Sequence, residues 1–358
     1  SLVAESSKSK GDNVFEHQLA NGDSVRLLKS AVLYGANASG KSNLLKALQA
    51  LRNLAGHLGR AGLPIRVYEP FLFDTASQNA PTRFVLSFVG PSNLKYTYSL
   101  LFNGIEIIEE SLDYFPKSQK KNLFTRPLAK SPDGLIHTVK MGQETALKTL
   151  KVLKNQTVIS KFGTDSPDEF FTPIYLYFKD ELTIMRNVYS NRRTVEEKIY
   201  ESQRLQKRLS NLIKIADTKI EEIIIKKTEE SEGNEGISDV IEIAKRRLLS
   251  ITPHYDSLGK HVMYKSYERV GEVELPFDQE SKGTNVLFVL GAEILDKLEK
   301  GGVFLVDEID TSLHPKLAKF LVMILQHHVS NPHNAQLIFT TLETTFLDKN
   351  IFWKDQIW

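Results

Sequence analysis

The chain has 358 residues, 46 Lys and Arg against 44 Asp and Glu, a net charge of +2 and 41% hydrophobic residues. This is enough apolar material for one large core or two ordinary ones, and too even a charge for a protein basic throughout. There is no cysteine, which excludes a disulfide scaffold, a zinc finger, an iron–sulfur centre and a cysteine nucleophile.

No apolar run approaches the roughly 18 residues that span a bilayer, so no membrane partner is expected. No signal-peptide pattern opens the sequence, and a cytoplasmic location is the expectation. Residue 1 is Ser, and the chain closes on the apolar-aromatic segment Ile351–Trp358. A strand-like segment rarely makes a comfortable terminus, so flanking sequence is expected beyond both ends.

Residues 31–34 (Ala-Val-Leu-Tyr) read as a short buried strand running into a Gly-rich turn. A helix follows from about Lys41, with Leu44, Leu45, Leu48 and Leu51 on one face. From Pro64 the pattern turns to strands at Phe84–Val89, Leu94–Phe102 and Ile105–Tyr114, the last two separated by the hairpin signal Asn103-Gly104. An antiparallel β-subdomain over 64–115, hung on an α/β core, is predicted. Over 117–161 the basic residues Lys117, Lys120, Lys121, Arg126, Lys130, Lys140, Lys148, Lys151, Lys154 and Lys161 face only Asp133 and Glu144. Such a stretch reads either as a solvated surface insertion or as a phosphate-contacting patch able to bind nucleic acid.

Residues 194–216 read as a helix opened by a capping box of Thr194 and Glu197. Leu205, Leu209, Leu212 and Ala216 form a narrow seam of under two heptads, which predicts a helical hairpin arm and not a long coiled coil. Ile223–Ile225 reads as a buried strand, Glu229–Gly236 as a loop and 237–250 as a helix. Beyond strand-like Val273–Phe277 come a helix from near Thr284 to about Lys300, a strand at Val303–Val306, a helix over 315–329 and a strand at Gln336–Thr340. The expected division is an N-terminal lobe over 1–178, a helical insertion over 179–250 and a C-terminal lobe over 251–358.

Gly35-Ala36-Asn37-Ala38-Ser39-Gly40-Lys41-Ser42 fits GxxxxGK[ST] and lies where the mechanism demands, after a strand and at a helix start. The glycines let the backbone curl until several N–H groups point at one phosphate, and the helix N-terminus adds its dipole. Lys41 is placed against the β- and γ-phosphates, and the Ser42 hydroxyl on Mg²⁺. Val303-Phe304-Leu305-Val306-Asp307-Glu308 delivers two carboxylates at the end of an apolar strand, the Walker B arrangement. Asp307 then assists the metal, and Glu308 polarises the attacking water.

From Lys41 to Asp307 is 266 residues. A nucleotide fold split by so large an insertion fits ATPases of the ABC superclass, in which lobes from both chain ends assemble one sheet. Glu280-Ser281-Lys282-Gly283-Thr284 opens a helix with a hydroxyl, a flexible backbone and free N–H groups. The P-loop already serves the γ-phosphate of its own protomer. The motif therefore reads as a signature turn that reaches across a dimer to the partner's ATP, with a simple helix cap as the plain alternative.

Tyr34–Leu48, Glu280–Thr284, Asp307-Glu308-Ile309-Asp310-Thr311-Ser312-Leu313-His314-Pro315 and Asp355–Trp358 together resemble the AAA15 group of ABC-type ATPases. That group is similar in architecture to repair ATPases of the RecF and SMC type. The resemblance implies phosphate and metal binding by the loop 35–43, Asn43 included, with Lys41 and Glu308 as catalytic residues. It implies a metal on Ser42 and Asp307, a trans contact from Ser281 and Gly283, and a coupling loop at Ser312 and Leu313. It also implies a self-associating ATPase subunit of an anti-phage, abortive-infection system, beside an effector nuclease of TOPRIM-like or HNH type. A directly DNA-binding repair ATPase, using 117–161, is the alternative.

The switch segment departs from the pattern: Thr340-Thr341-Leu342-Glu343 stands where the group usually carries Thr-Thr-His-Asp. Leu342 has no donor or acceptor. Either hydrolysis is slow or another group supplies that hydrogen bond. Gln78 is the candidate for the glutamine-loop residue. His314, His327, His328 and His333 read as turn and helix-end residues, not as metal ligands.

Overall fold

A computed structural model describes residues 2–4, 11–56, 59–117, 119–163, 166–216, 220–226, 260–267, 271–276 and 280–358. The loop expected at 229–236 and the helix expected at 237–250 lie outside them.

The core is a four-stranded parallel sheet in the order β10 (Leu182–Met185), β14 (Val303–Val306), β15 (Gln336–Thr341), β3 (Ser30–Tyr34). Three of its strands come from the two ends of the chain, as the long spacing between the two nucleotide motifs predicts, and the edge strand β10 comes from the middle. Each is a short apolar run because both faces are covered. On one face Leu305 joins Leu182, Ile184 and Leu45 of helix α1 (Lys41–Gly56). On the other, Phe304, Val306, Leu337 and Phe339 pack against α6 (Lys282–Lys300) and α7 (Pro315–Gln326). Beside β3, Trp358 N–H donates to Val32 O at 2.9 Å and Tyr34 N–H to Trp358 O at 2.8 Å.

The second large element is a six-stranded antiparallel meander: β4 (Thr82–Gly90), β5 (Leu94–Phe102), β6 (Ile107–Phe115), β7 (Lys121–Lys130), β8 (Ile136–Met141) and β9 (Thr149–Leu153). Alternate residues Leu94, Tyr96, Tyr98, Leu100 and Phe102 of β5 are buried, the period of a half-covered strand. Their core includes Phe171 and Ile174 of α3 (Phe171–Leu176) and the following Tyr177 and Phe178. The β5–β6 connection is longer than the Asn-Gly signal suggests. Residues 103–106 form the loop, and Asn103 Oδ1 accepts from the N–H groups of Ile105 and Glu106.

The basic stretch 117–161 is not separate from this sheet; its chain forms β7, β8, β9 and the short α2 (Val158–Phe162). Alternation is broken where residues sit against type: Ile136 is exposed and His137 buried in β8, and Leu123 and Phe124 are buried in succession in β7 at a register shift, while Lys140 and Lys151 take exposed positions. Several are neutralised locally: Lys120 by Asp113, Lys121 by Glu144 and Lys130 by Glu106. Arg126 is not a surface residue at all. Its buried guanidinium meets Glu110 at 3.2 Å and donates to the carbonyls of Leu153, Lys154 and Gln156.

The helix expected over 194–216 is two helices, α4 (Arg192–Glu201) and α5 (Gln203–Ile215). Thr194 and Glu197 form no capping box. Asn191 opens α4 without a side-chain cap bond, and Glu197 pairs with Arg193 at 3.3 Å. The break is at Ser202, whose hydroxyl accepts from Leu205 N–H and caps α5. The leucine seam faces α6: a Cβ at Gly291 would lie 2.7 Å from Leu212, so glycine there lets the two helices approach. The strand expected at Ile223–Ile225 falls within β11 (Ile220–Lys226), which pairs antiparallel with β12 (Lys260–Tyr267). The next strand, β13, is Gly271–Pro276. Helix α7 ends at Gln326, not 329, with His327 extended after it. No helix among the described residues is long and apolar enough to cross a membrane.

Candidate functional site: a phosphate loop at the carboxyl edge of a parallel sheet

The C-terminal ends of parallel strands gather backbone N–H groups and helix starts, and ligands of open α/β sheets bind there. In this chain that edge collects Lys41 and Ser42 after β3, Asp307 and Glu308 after β14, and Thr340 near the end of β15. The loop after β3 adopts the backbone its sequence requires. Gly40 has φ +93° and Ala38 φ +62°, and a Cβ at Gly35 would lie 2.9 Å from Ser39 Oγ. Ala36, Asn37, Ala38, Ser39, Gly40 and Asn43 are exposed, and Asn43 N–H closes the turn on Gly40 O at 2.9 Å. Lys41 Nζ folds back over the loop, donating to Gly35 O at 2.6 Å and Ala36 O at 2.8 Å.

Ser42 and Asp307, far apart in sequence, meet: Ser42 Oγ donates to Asp307 Oδ1 at 3.1 Å. A hydroxyl and a carboxylate oxygen side by side are the hard oxygen donors that Mg²⁺ takes. The pair, together with a loop conformation that admits a phosphate, fits a Mg²⁺–nucleotide; Ser42 and Asp307 would hold the ion.

Thr340 organises the carboxylates, a role the sequence did not reveal. Its buried hydroxyl donates to Asp307 Oδ1 at 2.6 Å and accepts from Glu308 N–H at 2.7 Å. The signal was present, as a polar residue ending an apolar strand, but its partners belong to another strand. Glu308 is exposed and sits at φ +50°, an uncommon conformation for a non-glycine residue. Thr311 Oγ1 donates to its carboxylate at 3.2 Å.

The signature turn lies against the same loop. Ser281 caps α6, its Oγ accepting from Thr284 N–H at 3.1 Å, so the plain cap reading describes what it does within the protomer. A Cβ at Gly283 would lie 2.8 Å from Ser312 O, so glycine permits the turn and the coupling loop to touch. Ser312 takes φ +61°, and Leu313 is buried. Leu342 is 40% exposed. Gln78 lies on an exposed loop, its amide donating to Leu72 O at 2.8 Å.

The fold also brings Asp12 to the histidine pair, with Asp12 Oδ1 and His328 Nδ1 2.6 Å apart. Asp12, His327 and His328 present ligand atoms within 4.8 Å of one another. The hydrogen bond from His328 draws the Asp12 carboxyl below its usual range.

A glycine-rich loop on a parallel sheet, with a hydroxyl and a carboxylate meeting at its edge, defines a P-loop nucleotide-binding domain. Residues 30–341 match the family model described as "AAA domain, putative AbiEii toxin, Type IV TA system", and the chain belongs to that family. Among solved structures it is similar to an Smc head bound to the C-terminal winged-helix domain of ScpA, at 12% identity and TM-score 0.40. That alignment covers 92% of this chain and 89% of the other. An Smc head with an extended coiled coil, bound to a ScpA domain derived from Pyrococcus furiosus, aligns at 11% identity and TM-score 0.33, covering 94% and 90%. No curated protein matches the chain.

Proposed function

We propose that this protein is an ATP-binding and ATP-hydrolysing subunit of the ABC type that closes head to head around nucleotide and controls an effector nuclease in a prokaryotic anti-phage system. The observation that carries the ATPase part is the contact between Ser42 Oγ and Asp307 Oδ1 at 3.1 Å, beside Lys41 at a helix N-terminus. The toxin–antitoxin wording of the family description supports a role in a paired defensive system.

The chain's own residues divide the work. Loop amides and Lys41 bind and orient the β- and γ-phosphates. Ser42 and Asp307 would hold the ion, which when bound neutralises charge on the phosphates. Glu308 takes a proton from the attacking water as the bond to the γ-phosphorus forms and the bond to the β–γ bridging oxygen breaks, releasing ADP. Thr340 keeps both carboxylates oriented. Ser281 and Gly283 are assigned to the partner protomer's γ-phosphate, so two shared nucleotides would close the dimer and hydrolysis would open it.

The test is oligomeric mass with and without ATP–Mg²⁺, on the wild type and on Ser281→Arg. An ATP-dependent dimer abolished by the substitution supports the trans contact. A mass indifferent to both reduces Ser281 to a helix cap. The second reading, a repair ATPase that binds duplex DNA through 117–161, rests on exposed Lys140 and Lys151. It requires affinity to fall steeply with salt, and charge reversal at these lysines to flatten that slope.

A further inference from the structure

Apart from the ion that Ser42 and Asp307 would hold, the nucleotide site as described carries one side-chain cation, Lys41. Asp307 and Glu308 bring two carboxylates, Lys41 brings one ammonium, and the switch position is Leu342. Phosphoryl transfer spreads negative charge over the γ-phosphoryl and the leaving oxygen, and that charge must be met.

We propose that Arg186 supplies a second side-chain cation, its guanidinium contacting the phosphates of the nucleotide bound by its own protomer as charge builds on them. The inference rests on the ATPase reading above. Placement comes first. β10 and β14 run parallel with Met185 opposite Val306, and Asp307 N–H donates to Met185 O at 2.9 Å. Val306 in turn lies opposite Phe339 of β15. Arg186 and Asp307 are the residues that directly follow the paired ends of β10 and β14, and Thr340 follows Phe339 in β15. Arg186 thus follows the residue whose carbonyl accepts from the proposed metal ligand's N–H, although 121 positions separate Arg186 from Asp307 in sequence.

Its partnership is the second argument. Arg83, Arg192 and Arg193 each meet a glutamate, and Arg126 meets Glu110. Arg186 is exposed, and among the described residues its partner is a neutral amide: Nη1 donates to Gln49 Oε1 at 3.2 Å. Gln49 lies on α1, the helix that opens with Lys41 and Ser42, seven residues and so about 10 Å along the axis from Ser42. The cation is thus parked on the P-loop helix with no carboxylate paired to it among the described residues, and a change of side-chain rotamer frees it. A planar guanidinium suits the task, since its fork can bind two phosphate oxygens at once.

The test compares wild type, Arg186→Ala and Arg186→Lys in single-turnover ATP hydrolysis and in binding of a fluorescent ATP analogue, with thermal melting as the check on folding. The expected result is turnover about 100-fold lower in Arg186→Ala with the dissociation constant within about threefold, and incomplete recovery in Arg186→Lys. Turnover within threefold of wild type in a folded Arg186→Ala overturns the proposal. So does a loss confined to binding, with saturated turnover unchanged. Should the alanine variant fail to fold, Arg186→Lys decides, full wild-type turnover counting against the role. A wild type that neither binds nor hydrolyses ATP sinks the ATPase reading itself, which is a different result from an active wild type beside an equally active Arg186→Ala.

Discussion

The carboxyl edge of the parallel sheet and the interior of the antiparallel sheet use the same residue types to opposite ends. Around Arg126 every charge is matched indoors: Glu110 accepts from Tyr98 OH and Val158 N–H, and Arg126 Nε donates to His137 Nδ1 at 3.0 Å. At the phosphate loop the charged groups are half-exposed or exposed and only loosely answered, with Lys41 on carbonyls and Arg186 on an amide. A set of partners that pairs each buried charge makes an architectural device, because a buried charge is tolerated only when it is paired and hydrogen-bonded. An incomplete one at a solvent-open edge leaves capacity for a ligand. Burial raises the Glu110 carboxyl above its usual range against the pull of Arg126, and lowers the Arg126 guanidinium.

The comparison breaks if the two regions respond alike to substitution. Glu308→Gln is expected to cut saturated turnover by about a thousandfold with little change in melting temperature. Arg126→Met should do the reverse. Leaving Glu110 and three carbonyls without their partner costs about 3–5 kcal/mol, read as a lower denaturation midpoint, while ATP affinity in the remaining folded protein stays near wild type. Thr340→Val falls between them. Removing the hydroxyl that orients Asp307 and Glu308 is expected to slow turnover about 10–100-fold, and a rate equal to wild type would remove Thr340 from the site.

A pH series sharpens the contrast further. Desolvation first, then the Arg126 and Lys130 charges, lowers the His137 imidazole from 6.5 to about 4. The ring is neutral in the fold and gains a proton in the unfolded chain below pH 6.5. Stability is therefore full above pH 6.5 and declines as pH falls toward 4. Melting temperature followed over that window should drop by a few degrees more in wild type than in His137→Asn; equal slopes would discard the assignment. The smallest effect is expected at Arg83→Ala, whose exposed pair with Glu109 at 2.8 Å contributes no more than about 1 kcal/mol.

Local chemistry wrote much of this protein plainly. The loop 35–42 was legible because a GxxxxGK[ST] turn between a strand and a helix suits a phosphate, and the Walker B strand because its two acids, common at the end of a buried strand, gain meaning beside that loop. The leucine seam of α5 was legible through its spacing. Its partner, the Gly291 face of α6, was not. The lysine-rich run hid three strands, since buried His137, exposed Ile136 and Leu128 and the buried pair Leu123–Phe124 break the period of two, and it hid Arg126, whose burial depends on acceptors from other parts of the sheet. Thr340 and Arg186 gained their places only when β10, β14 and β15 came into register. Sequence by itself determines what each short segment can do, because caps, turns and phosphate loops are built from neighbours in the chain. Which charge is buried, and which distant side chains stand in one row, is decided by the sheet, because hydrogen-bonded register sets those distances and chain order does not.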